Sequence, residues 1–200
     1  MRCTGVILAG GGATRFDGRP KGLELVGGRR IVDRVADALR ATTDELLLVA
    51  NDPGAGAWLP GVRTCGDVRP GEGSLGGLHA ALSHAGTAAL VVAWDMPFVS
   101  APLLARLRAL GEAGHDVAVA ESGSRRGVEP MCAWYAPGAL AAITAALDRG
   151  DRRVIAFFDD LRVARLAAPD VATFGDPRTL FLNVNTRDEL AEAARLADAS

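Results

Sequence analysis

Short apolar runs, each about the length of one buried strand, alternate along this chain with stretches whose apolar residues recur at helical spacing. That order constrains the fold more than any single motif, because strands separated by helices pair in parallel and a parallel sheet must be covered on both faces. Strands are expected at 5–9, 45–50, 62–65, 88–93, 117–120 and 131–135. Between them Ile31, Val35, Ala38 and Leu39 fall at i, i+4, i+7 and i+8 and form one apolar stripe of a helix. Leu103, Leu104, Leu107 and Leu110 form another, entered through Ser100 as cap with Pro102 in the first turn. Thr186-Arg187-Asp188-Glu189 is a capping box, so a last helix should begin at residue 187. The stretch 151–160 reads as a further short helix, with Asp151 as its cap and Val154, Ile155, Phe157 and Phe158 on its buried side.

Composition narrows the function classes. At 200 residues with 49% hydrophobic and 23% charged residues, residues 1–200 are expected to form a single domain with a sizeable core. The 22 Lys+Arg against 24 Asp+Glu give a formal charge of -2, which supplies no field to hold nucleic acid. Phosphate binding must therefore come from a few placed groups. Cys3, Cys65 and Cys132 are odd in number, far apart and in no Cys-x-x-Cys pair, which favours free thiols in a reducing compartment. The apolar run Val6-Ile7-Leu8-Ala9 is too short for a signal peptide, and no stretch approaches the roughly 20 apolar residues of a membrane helix. A cytoplasmic enzyme is expected.

The first expected strand runs into a loop, from Leu8 to Lys21, that packs four glycines and three cations into fourteen residues. Glycine lets backbone amides close on an anion, and Arg15 and Lys21 would neutralise phosphate oxygens beside the Gly10 and Gly11 amides. Arg15 stands where a dinucleotide fingerprint needs its third glycine, and no Gly-Lys-Ser/Thr ends the loop as in a P-loop. A Gly-rich surface loop with solvated cations has the same composition. Asp95-Met96-Pro97 follows the fourth strand at the sheet's carboxyl edge, where open α/β sheets place ligands. A lone carboxylate there suits a Mg²⁺ ion bridging to phosphates, though it would equally shape a turn. Asn51 and Asp67, after two other strands, reach the same edge. His79 and His84 point about 140° apart on a helix and cannot share a metal. Asn183-Val184-Asn185 either aims both amides one way or forms a helix-entry turn.

Together these residues resemble the molybdenum cofactor guanylyltransferases, within the wider nucleotidyltransferase fold. The resemblance runs nearly end to end. It is carried by Leu8-Ala9-Gly10-Gly11 with Arg15 and Lys21, Ala50-Asn51, Asp67 ahead of Gly73-Ser74-Leu75-Gly76-Gly77, Asp95-Met96-Pro97, Asp151-Arg152-Arg153-Val154, and Phe181-Leu182-Asn183-Val184-Asn185-Thr186. It implies an α/β, three-layer, Rossmann-like nucleotidyltransferase fold with a mainly parallel, mixed sheet. It also implies GTP contacts at Leu8, Ala9, Gly10, Gly11, Lys21, Asn51, Asp67 and Asp95, Mg²⁺ on Asp95, and molybdopterin contacts at Asn183 and Asn185. Arg15, Lys21 and Asp95 would be the catalytic residues, and proteins that deliver molybdopterin would be partners. The chain departs from the family pattern at Phe16-Asp17, Pro20, Trp94 and Glu129, the last replacing a usual His or Gln. A related transferase using CTP and another acceptor, or a nucleotide-binding regulator without turnover, are the other readings.

Overall fold

A computed structural model of the chain describes residues 1–10 and 20–199. The strands are β1 (Cys3–Ala9), β2 (Leu25–Val26), β3 (Arg29–Arg30), β4 (Glu45–Ala50), β5 (Arg63–Cys65), β6 (Ala88–Ala93), β7 (Val117–Glu121), β8 (Val128–Tyr135) and β9 (Val163–Leu166). The helices are α1 (Ile31–Arg40), α2 (Gly73–Ala85), α3 (Ala101–Glu112), α4 (Ala139–Asp148), the short α5 (Ala168–Val171) and α6 (Pro177–Leu180), and α7 (Arg187–Asp198). Among the described residues, seven strands form one sheet in the order β5-β4-β1-β6-β8-β7-β9. All run parallel except β8, which lies antiparallel between β6 and β7. The sheet is thus mainly parallel and mixed.

Every residue of β1 is buried, as a central strand covered on both faces requires. Its alternate side chains enter two cores: Cys3, Ile7 and Ala9 pack with α1 and α3, whereas Val6 and Leu8 pack with α2 and α4. The apolar stripes of α1 and α3 are buried as their spacing predicts except for Leu110, which is half-buried, and Ser100 accepts the Leu103 N–H at 3.3 Å. The chain passes from β1 through α1 to β4 on one side and from β5 through α2 to β6 on the other. The connections therefore diverge at β1, and such a switch point opens a crevice beyond the carboxyl ends of its strands.

Three expectations change. The stretch 151–160 forms no α-helix: it folds as turns ending in the 3-10 turn Phe158–Asp160, with the Asp151 carboxylate accepting the Arg153 backbone N–H. Burial of Val154, Phe157 and Phe158 in the core on the α2 and α4 side of the sheet explains the apolar spacing without a helix. Helix α7 does start at Arg187, and Thr186 accepts the Glu189 N–H, but Glu189 reaches back to the Asn185 N–H at 2.7 Å. Strand β9 and the β2–β3 hairpin carry too little apolar periodicity to be seen in advance. Cys3 and Cys132 are buried free thiols, and that burial pushes them up to about 11 and about 12, respectively. No helix among the described residues is long and apolar enough to cross a membrane.

Candidate active site

The crevice beyond the carboxyl ends of β1, β4 and β6 is a cleft of about 710 Å³. It gathers Leu8, Ala9, Gly10, Lys21, Asn51, Asp67, Asp95, Asn183 and Asn185, so residues spread over nearly the whole sequence meet in one place. Gly11 and Arg15 lie outside the described residues. A shallower hollow of about 530 Å³ at the opposite edge, between the starts of β4 and β5, contains none of these residues.

Lys21 and Asp95 form the floor. Lys21 opens a 3-10 turn, Lys21–Leu23, and is only 6% exposed, while Asp95 is 7% exposed. The Lys21 ammonium donates to Asp95 Oδ2 at 2.5 Å and to Asn185 Oδ1 at 2.8 Å. The sequence suggested a loop cation facing phosphate; here its charge is spent first on holding a carboxylate. An ammonium has three donors, so among the described residues one is left for an incoming oxygen. Asp95 Oδ1 is buried and accepts no hydrogen bond from the described residues. An orphaned carboxylate oxygen is costly unless something completes it, and a hard divalent cation is the fitting partner. No group of three or more His, Cys, Asp or Glu among the described residues forms a metal cage. A cation here would keep water or substrate oxygens as its other ligands.

Backbone and aromatic packing fix this floor. The Val184 N–H donates to the Asp95 carbonyl at 2.9 Å, which ties the C-terminal segment to the end of β6. Asn183 donates to the Phe181 carbonyl at 2.9 Å, so Asn183-Val184-Asn185 is a tethered turn whose two amides nevertheless both line the cleft. Trp94 stacks on Trp58 with ring centroids 5.0 Å apart. Gly22 lies so near that a Cβ there would sit 2.3 Å from Trp94 Cε3. The large residue before Asp95 therefore has a glycine opposite it, beside Lys21.

At the other end of the cleft, Asn51 Nδ2 donates to Asp67 Oδ2 and Asn51 Oδ1 accepts the Asp67 N–H, both at 2.7 Å. This pair of hydrogen bonds fixes the amide orientation and the carboxylate together. Gly71 and Gly73 take φ of +84° and +63° in the turn entering α2, a conformation L side chains rarely adopt. The start of α2 then lines the cleft through Gly73, Ser74 and Gly77, and the side chain of its N-cap residue, Glu72, makes no capping bond. The backbone amides there and Arg126, Glu129 and Met131 were not assigned roles from sequence. The glycine-rich run after Asp67 and the unusual Glu129-Pro130 were the only signals for them.

Residues 5–166 match the model of the MobA-like NTP transferase domain. The chain is 38% identical over 199 residues to the molybdenum cofactor guanylyltransferase of Cereibacter sphaeroides, covering 98% of this chain and 97% of that protein. It is 37% identical over 201 residues to the probable molybdenum cofactor guanylyltransferase of Pelotomaculum thermopropionicum, covering 100% and 96%. The crystal structure of molybdopterin-guanine dinucleotide biosynthesis protein A from Archaeoglobus fulgidus superposes with a TM-score of 0.81 at 26% identity, over 98% of this chain and 100% of that one. With the match spanning both the glycine-rich opening and the Lys21–Asp95 floor, the chain belongs to the family of MobA-like NTP transferases.

Proposed function

We propose that the chain transfers GMP from GTP to molybdopterin, forming molybdopterin guanine dinucleotide and releasing pyrophosphate. The observation that carries this reading is the buried Lys21–Asp95 pair, with an orphaned carboxylate oxygen, at the centre of a cleft whose far end holds the Asn51–Asp67 clasp. The terminal phosphate of molybdopterin attacks the α-phosphorus of GTP; a new P–O bond forms as the bond to pyrophosphate breaks. A phosphate monoester is already anionic near neutral pH, so no side-chain nucleophile is needed. Alignment and charge neutralisation suffice.

Lys21 holds Asp95 in place and presents its remaining N–H to the triphosphate. Gly10 and the first-turn amides of α2 line the same cleft and donate to phosphate oxygens. Gly11 and Arg15 are assigned to the same triphosphate on sequence grounds. Asp95 Oδ1 would hold Mg²⁺, which when bound neutralises charge on the reacting phosphates. Asp67 Oδ1, which accepts no hydrogen bond among the described residues, is the acceptor for guanine N–H groups, with Leu8 and Ala9 beside the nucleotide. Asn183 and Asn185 hold molybdopterin. A reducing, cytoplasmic setting suits the free thiols, and a protein that hands over molybdopterin is the partner this reaction calls for.

The test is pyrophosphate release with GTP, ATP, CTP and UTP in Mg²⁺, with and without molybdopterin. Release should require GTP and molybdopterin together. Equal release with CTP would transfer the assignment to a cytidylyl reaction, and tight GTP binding without release would make the chain a binder.

A further inference from the structure

Besides Asp95, two carboxylates line the cleft, and they sit on opposite sides of it. Asp67 is clasped by Asn51 beyond β4 and β5. Glu129 is on β8, which runs antiparallel beside β6 with Cys132 opposite Val92. Glu129, three residues before Cys132, therefore comes to the same edge as Asp95, three residues beyond Val92. Its Oε1 accepts the Ser122 hydroxyl proton at 2.7 Å, and the Ser124 N–H donates to that hydroxyl oxygen at 3.2 Å. The same hydroxyl also lies 2.9 Å from Ser124 Oγ, and the shorter contact is the one to Glu129. Ser122 is the one hydrogen-bond partner of Glu129 among the described residues, and it is neutral.

Arg126 lines the same cleft but forms no ion pair with Glu129, and a carboxylate with no ion-pair partner among the described residues repels phosphorylated molecules unless it meets N–H donors. With Oε1 held by Ser122, the fitting ligand is a ring edge with adjacent N–H groups, such as the ring N–H and exocyclic amine of a 2-amino-4-oxopyrimidine. Guanine and pterin both carry that edge. Strand order separates them: the order β4-β1-β6-β8 places Asn51 two strands from Asp95 on one side and Glu129 one strand from it on the other. A nucleotide with its base at the Asn51–Asp67 clasp and its phosphates at Asp95 leaves Glu129 to the second substrate.

We infer that Glu129, positioned by Ser122, is the acceptor-side specificity residue and binds the 2-amino-4-oxo edge of the pterin. This rests on the GMP-transfer reading and names the acceptor group that Glu129 recognises. The test uses the full chain with GTP, Mg²⁺ and molybdopterin. Glu129→Gln should raise the KM for molybdopterin about tenfold, as expected for loss of one charge-assisted hydrogen bond, while the KM for GTP stays within about twofold. Two free heterocycles then serve as competitors against molybdopterin: pterin, and lumazine, which has an oxo group where pterin has the amine. The parent should be inhibited about tenfold better by pterin than by lumazine, and Glu129→Gln should shrink that ratio. An unchanged molybdopterin KM, a shift in the GTP KM instead, or equal inhibition of the parent by both heterocycles each overturns the inference. Failure of the parent to transfer GMP to molybdopterin at all is a different result, and it refutes the proposed function rather than the placement of Glu129.

Discussion

Replacing Lys21 with methionine keeps most of the side chain's apolar length and removes the ammonium, with its hydrogen bonds to Asp95 and Asn185, so it tests the Lys21–Asp95 pair. Both residues are buried at the cleft floor, at 6% and 7% exposure, and Asp95 Oδ1 has no hydrogen-bond partner among the described residues. Lys21→Met leaves the Asp95 carboxylate without a compensating cation among the described residues. Breaking a buried pair from one side costs about 3–5 kcal/mol, and the cleft's opening to solvent sets the expectation at the low end, about 3 kcal/mol. For a chain of this size that is a fall in Tm of about 6–12 °C. Transfer should drop on the order of a hundredfold or more, as for loss of one preorganised electrostatic contact. The double variant Lys21→Met/Asp95→Asn removes both charges, and more than half of the lost stability should return while activity stays lost. Thermal melts of the parent, both singles and the double variant complete the cycle. If Lys21→Met melts within about 1 °C of the parent, or the two single losses simply add, the pair is not the buried, mutually dependent unit described here.

Asp95→Asn should abolish metal-dependent turnover while GTP binding measured by calorimetry without metal persists; an active variant with ordinary Mg²⁺ dependence would return Asp95 to a turn-shaping role. A Cβ at Gly111 would sit 2.0 Å from Trp134 Cε3, well away from the cleft, and one at Gly22 would sit 2.3 Å from Trp94 Cε3, beside Lys21. Gly111→Ala and Gly22→Ala should each lose about 1–3 kcal/mol in denaturant melts, but only Gly22→Ala should also weaken GTP binding. Asp37, Asp116 and Asp151 are held below the usual carboxylate range by Arg29, Arg162 and Arg153, with Asp151 at about 2. Their stabilisation is present above the ordinary carboxylate value near 4 and is lost as pH falls from there toward about 2. Melts at pH 5, 3 and 2 should show Tm falling across that window, and Arg162→Ala should flatten part of the fall.

The sequence by itself determined the layered α/β fold, because strand length and helical periodicity are local properties that survive without tertiary context. It placed β4 and β6 to the residue and the start of α7 at Arg187. It also named Lys21, Asn51, Asp67 and Asp95 from glycine-rich turns and polar residues at strand ends, whereas Asn183 and Asn185, which a helix-entry turn explains equally well, were named through the family resemblance. Only the tertiary structure decided what those residues do to one another. Lys21 and Asp95 are 74 positions apart, and Lys21 and Asn185 are 164 apart, so no local pattern announces that one ammonium holds both. The apolar spacing in 151–160 looked helical because burial in the core on the α2 and α4 side of the sheet selects the same positions as a helix face would. Glu129 stood out only as an unusual residue before a proline. Its place one strand from Asp95 follows from β8 running antiparallel between β6 and β7, a pairing fixed by long-range strand order that the sequence does not encode locally.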